Sequence, residues 1–139
     1  MSFDYLRDFF GRFRKNNKTR YTCIEMRAVA LLQDINARRI SIDGFGESMR
    51  AIDEEFHNLM YDAQKNAYVF DNDTPGWLNM FLGNKFRPWY RFHKSFIAAR
   101  NNPKLTSDPR WHEVERRAAY EERSLMDAVE YCLNKYDRK

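Results

Sequence analysis

The stretch at residues 47–66, ESMRAIDEEFHNLMYDAQKN, decides how this chain folds. Met49, Ile52, Phe56, Leu59 or Met60, and Ala63 recur at spacings of three and four, the period of one apolar helix face. Arg50, Glu54 and Glu55 fill the positions between them. Upstream, the same period predicts a helix over about Thr22 to Arg38, with Ile24, Ala28, Leu31, Leu32 and Ile35 on one face. A further helix is expected from Ser2, a good N-cap, to about Lys15, carrying Phe3, Leu6, Phe10 and Phe13. Asn16-Asn17-Lys18-Thr19 reads as a turn, and Asp43-Gly44-Phe45-Gly46 as a break.

Downstream, Tyr68-Val69-Phe70 reads as a short extended piece leading into Asp71-Asn72-Asp73. Thr74-Pro75 pairs an N-cap residue with proline at the first helical position, where the missing amide hydrogen costs nothing. A short fourth helix is expected to stop near Gly83-Asn84, Pro88 to open a fifth, and Asn102-Pro103 to close it. Ser107-Asp108-Pro109 repeats the cap-plus-proline pattern and opens a long last helix to about Lys135, with Trp111, Val114, Ala118, Leu125, Val129 and Cys132 on its inner face. No alternation of period two persists, so strands have no support. The expected fold is all-α, a single compact bundle of about five to six helices, with residues 1–139 as one domain.

A chain of 139 residues, 43% apolar and 16% aromatic, buries enough surface to fold by itself. The longest uncharged run, Thr74 to Asn84, falls far short of the ~20 apolar residues that cross a bilayer. Asp4, Arg7 and Asp8 interrupt what would be the apolar stretch of a signal peptide, so a cytoplasmic location and no membrane partner are expected. Phe-rich and partly basic, the first helix suits a membrane surface in principle, but Asp4 and Asp8 favour packing. Cys23 and Cys132 lack CxxC spacing and read as two free thiols packed as small hydrophobes in a reducing compartment, with a disulfide between them as the alternative.

Net charge is +4, and its distribution says more than its size. Residues 1–39 carry +5, residues 40–73 carry −6, residues 74–110 carry +6 and residues 111–139 carry −1. Segregation of this kind predicts a positive face able to meet an anionic partner.

Catalytic and metal-binding patterns are few. Glu54-Glu55-Phe56-His57 contains one Glu-x-x-His, the spacing with which di-iron bundles aim two ligands, but neither His93 nor His112 has a glutamate three residues before it. Asp71-Asn72-Asp73 begins like a calcium loop, yet Pro75 and Leu82 occupy positions that need oxygen ligands. Phosphate-cradling glycine loops, GxSxG and HExxH do not occur. No cofactor or metal is therefore expected.

Arg87 and His93, separated by five residues at the start of the expected fifth helix, match Arg-x4-6-His. That pattern in an all-helical chain resembles the HEPN ribonucleases, which pair two such motifs across a dimer. The resemblance implies roles for Arg87 and His93 at the scissile phosphate and ribose 2′-hydroxyl, and a homodimer. Arg50 and His57 also match the pattern.

The most informative segment is Trp77 to Arg100. It interleaves Lys85, Arg87, Arg91, Lys94 and Arg100 with Trp77, Phe81, Phe86, Trp89, Tyr90, Phe92 and Phe96, without one acidic residue. An exposed helix ordinarily mixes both signs. The expected binding residues are Lys85, Arg87, Trp89, Tyr90, Arg91, Lys94 and Arg100. Nucleic acid would be held by cations on phosphates and by exposed Trp89, Tyr90 or Phe86 stacking on bases; a protein would use the same aromatics and arginines as anchors. Asp53, Glu54, Glu55 and Asp62 form a second, acidic surface able to imitate phosphates or meet a basic partner. The reading favoured is a non-catalytic binding protein that docks on a protein or nucleoprotein, of the same type as regulators and inhibitors carried by phages and mobile elements, anti-defence proteins included. A HEPN-like ribonuclease and a nucleic-acid-binding protein are the alternatives.

Overall fold

A computed structural model describes the backbone of residues 3–65 and 76–137 and the side chains of residues 20–61 and 76–136. Every regular element among them is helical: α1 (Phe3–Asn36), α2 (Ile42–Lys65), α3 (Trp77–Met80), a π-helical segment (Phe81–Phe86), α4 (Arg87–Arg100), α5 (Pro103–Thr106) and α6 (Trp111–Asp137). The all-α class is as the periodicity predicts. Contacts sort the chain into two compact units, Met1–Pro75 and Gly76–Lys139. The expected extended piece at Tyr68-Val69-Phe70, the Asp71-Asn72-Asp73 segment and the expected Thr74-Pro75 cap lie outside the described residues, as does the side chain of Asp62.

The first unit is an αα-hairpin. Tyr21, Ile24, Ala28, Leu32 and Ile35 of α1 are buried with Phe45, Met49, Ile52, Phe56 and Leu59 of α2, and the Tyr21 and Phe56 rings meet at 6.2 Å. Burial, with Glu25 alongside, pushes the Tyr21 hydroxyl well above its ordinary pKa. The turn between the helices is built on a left-handed Arg38, φ 56°. Arg39 N–H donates to the Asp34 carbonyl at 2.8 Å and Arg38 N–H to that of Ile35 at 3.1 Å, the Schellman pattern that satisfies a helix's last carbonyls. Arg39 Nε adds a bond to Asp34 Oδ1 at 2.9 Å.

Two expected breaks in this half are absent. Asn16-Asn17-Lys18-Thr19 lies inside α1, because these residues lower helix propensity by tenths of a kcal/mol each and none is a proline or glycine that would stop the helix. Asp43-Gly44-Phe45-Gly46 forms the first turns of α2. Ser41 caps it, its Oγ accepting from Gly44 N–H at 3.0 Å. A Cβ at Gly44 would stand 3.1 Å from that oxygen and 3.3 Å from Ile40, so glycine lets the cap close.

In the second unit, α3, the π segment and α4 run end to end, with helical angles at both junctions: Phe81 at φ −60°, ψ −49° and Arg87 at φ −60°, ψ −45°. The break expected between Gly83-Asn84 and Pro88 does not occur. A proline in an α-helix leaves the carbonyl four residues back without a donor and crowds it. The chain answers by widening the turn just before Pro88, where Arg87 N–H bonds to Leu82 O, five residues back. Leu78, Leu82, Phe86, Trp89 and His93 of this run are buried, with Leu125, Val129 and Leu133 of α6. The two helices are antiparallel, as three ring contacts show. Trp77 meets Tyr136 at 6.3 Å, Phe92 sits under Arg117 at 4.8 Å, and Phe96 stacks on Trp111 at 5.6 Å.

Between them, Asn102 accepts from Lys104 N–H at 3.0 Å and opens the single turn of α5 at Pro103. Asn102-Pro103 thus ends one helix and begins another. Asp108 then holds the entry to α6, accepting from Arg110 N–H at 2.8 Å and from its guanidinium at 2.9 and 3.1 Å.

Candidate functional site

The cation-rich run is divided by its helical register. On α4, Arg87, Arg91 and Lys94 follow one another at spacings of four and three and so share a face. Trp89 and His93 lie on the buried side, their rings stacked at 4.6 Å and 17°. Phe86 packs on Trp89 at 6.0 Å and on Tyr90 at 5.5 Å. Lys94 Nζ lies over the Tyr90 ring at 5.7 Å and the Arg100 guanidinium over Phe96 at 5.8 Å, contacts that hold long side chains along the helix.

This arrangement corrects one expectation. Trp89 is 3% exposed and Phe86 1%, so neither offers a ring to a base or a partner; both serve the core, because their stripe continues that of Leu78 and Leu82. Of the aromatics expected at the surface, Tyr90 alone is half-exposed. Arg87 is half-buried, with its guanidinium near Gly83, whereas Lys85, Arg91, Lys94 and Arg100 are exposed. Lys85 and Arg91 enter no ion pair among the described residues.

The acidic surface on α2 is partly neutralised inside its own unit. Glu54 pairs with Arg50 at 3.2 Å, Glu47 with the same arginine at 3.6 Å, and Glu55 with Arg27 of α1. Asp53 is half-buried and His57 exposed. Of the two residues of the ribonuclease resemblance, Arg87 is half-buried and His93 is 8% exposed against Trp89. Six residues of α-helix turn one side chain about 120° from the other, so the two do not share a face.

Both cysteines are free. Cys23 is exposed on α1, contrary to its expected packing in the core, because its position falls between the buried Tyr21 and Ile24. Cys132 is half-buried, and burial raises its thiol pKa, with Lys135 acting in the opposite direction. Among the described residues no three His, Cys, Asp or Glu side chains cluster as metal ligands, and no helix is long and apolar enough to cross a membrane.

Periodicity within single helices did not reveal a groove of about 480 Å³ between the π segment and α6. Trp77, Met80, Phe81 and Lys85 form one wall, and Ala128, Tyr131, Cys132 and Lys135 the other. Met80 is 62% exposed and Tyr131 66%. The signal was present as a second stripe at helical spacing on each helix, but only the antiparallel pairing brings the stripes together. Compared with protein-family models, curated proteins and solved structures, the chain matches none.

Proposed function

We propose that this is a non-catalytic helical binding protein that docks on a protein or nucleoprotein partner through the cation-rich run from Lys85 to Arg100, on which Lys85 and Arg91 stand exposed on different faces. The observation that carries the reading is that both cations are exposed and outside any ion pair among the described residues, on a run from Trp77 to Arg100 that contains no carboxylate. Such cations attract an anionic surface and lose little solvation energy until they meet it.

A protein surface suits the site better than bare nucleic acid. Binding of single strands draws about 1–3 kcal/mol per base from stacking on exposed rings, and Phe86 and Trp89 are buried. Tryptophan, tyrosine and methionine around a groove are interface chemistry. Binding without a reaction makes the protein a regulator or inhibitor that acts by occupancy, of the type phages and mobile elements carry against host defences. Two unpaired thiols agree with a reducing compartment such as the cytoplasm.

The test is capture from lysate by tagged wild-type protein and by a Lys85→Glu/Arg91→Glu variant, each with and without nuclease. A partner held by the wild type, lost by the variant and resistant to nuclease is the expected result. Incubation with structured and single-stranded RNA serves as the control: cleavage abolished by both Arg87→Ala and His93→Ala would overturn a binding-only role.

A further inference from the structure

We infer that the groove between the π segment and α6 is the seat of an acidic amphipathic helix belonging to the partner. The inference rests on the proposed docking function and says what kind of element docks. Its basis is the shape and charge of the groove. On one wall Trp77, Met80, Phe81, Asn84 and Lys85 fall at spacings of three, one, three and one, a stripe two turns long. On the other, Ser124, Asp127, Ala128, Tyr131, Cys132 and Lys135 repeat the same spacing over three turns of α6.

These stripes lie beside the core stripes of Leu78 and Leu82 and of Leu125 and Val129, not on them. Two antiparallel helices with such paired stripes leave a trough with the outline of a third helix, into whose grooves that helix's ridges would pack. Side chains in the trough suit an apolar stripe. Met80 is unbranched and polarizable and adapts to the shape it meets, Tyr131 is a rigid amphipathic anchor, and Phe81 is buried beneath them.

Charge then selects the occupant. Lys85 and Lys135 stand on the rim of opposite walls against one carboxylate, Asp127, and the unit's α3-to-α5 half carries no acidic residue at all. A helix with leucine or aromatic residues on one face and glutamate or aspartate along both flanks satisfies the trough and both lysines. One with basic flanks meets repulsion.

The probe is a peptide of about 18 residues, five helical turns, with leucines at i, i+3, i+4 and i+7 and glutamates on both flanks, alongside a second peptide with every glutamate replaced by lysine. Binding of each to the full-length chain is read by fluorescence polarisation. The Glu peptide is expected to bind at least about tenfold more tightly than the Lys peptide, and Met80→Glu/Tyr131→Glu to weaken it about tenfold or more. In a Cys23→Ser background the Glu peptide should also slow maleimide labelling of Cys132, which lines the groove. Equal binding of the two peptides, or binding and labelling indifferent to the groove variant, would overturn the inference. So would a dimer of the free chain, seen by sedimentation, that the groove variant dissociates, since a second copy would then be the occupant.

The partner captured from lysate separates this inference from the reading beneath it. Loss with Lys85→Glu/Arg91→Glu but full retention with Met80→Glu/Tyr131→Glu removes the groove and keeps the basic docking surface. Retention by both variants removes both.

Discussion

Single side chains set the chemistry that can be read in solution. Asp108 accepts bonds from both the side chain and the backbone of Arg110, which lower its carboxyl pKa from its ordinary value to about 2. Because the folded pKa lies below the unfolded one, the stabilisation is fully present above about pH 4 and is lost as pH falls through the folded value. Asp108→Asn is therefore expected to be less stable than wild type at pH 6, and the gap to close towards pH 2 in chemical denaturation; a gap independent of pH would contradict the assignment. The cysteines give a second reading. Cys23 is exposed, while Cys132 is half-buried with a raised pKa, and the thiolate is the reactive form. Maleimide at neutral pH should label Cys23 first, as peptide mass mapping would show, and equal rates would contradict the burial of Cys132.

Proline has opposite consequences in two places on the run from Trp77 to Arg100. At Pro88 the π segment has already shifted the hydrogen bonds, with Arg87 N–H on Leu82 O, so Pro88→Ala should change stability by no more than about 1 kcal/mol. Ser95→Pro, in regular α-helix, has no such relief and should cost about 3 kcal/mol or more, measured by urea unfolding. Legibility of the sequence follows the same line. Apolar spacing alone located the helical faces of residues 22–35, 49–59 and 125–132, since packing one stripe against another is what holds each helix. Punctuation was less reliable: Asn16-Asn17, Asp43-Gly44 and Gly83-Asn84 all read as breaks, and all three lie within helices. Weak helix residues cost tenths of a kcal/mol to about one, less than the burial that continuing the helix secures.

For the whole molecule, charge blocks were legible and exposure was not. A run of cations without acids can be counted from the sequence, but which aromatics accompany them to the surface depends on how α6 lies along the run. That pairing buried Trp89 and Phe86 and put Met80 and Tyr131 at the surface, changing a surface suited to stacking on bases into one suited to packing against protein. The groove was illegible for the same reason, since its two walls are 39 or more residues apart in sequence, from Lys85 to Ser124.

The central claim, that the cation-rich run carrying Lys85 and Arg91 docks the partner, is tested most directly by titrating the captured partner against wild-type protein and Lys85→Glu/Arg91→Glu at two salt concentrations. Exposed charges are screened within about 10 Å at 0.1 M salt. Wild-type affinity should fall as salt rises, the variant should bind at least about tenfold more weakly at low salt, and the two should share one far-ultraviolet dichroism spectrum. Equal affinities of the two proteins, with helix content unchanged, would contradict the claim.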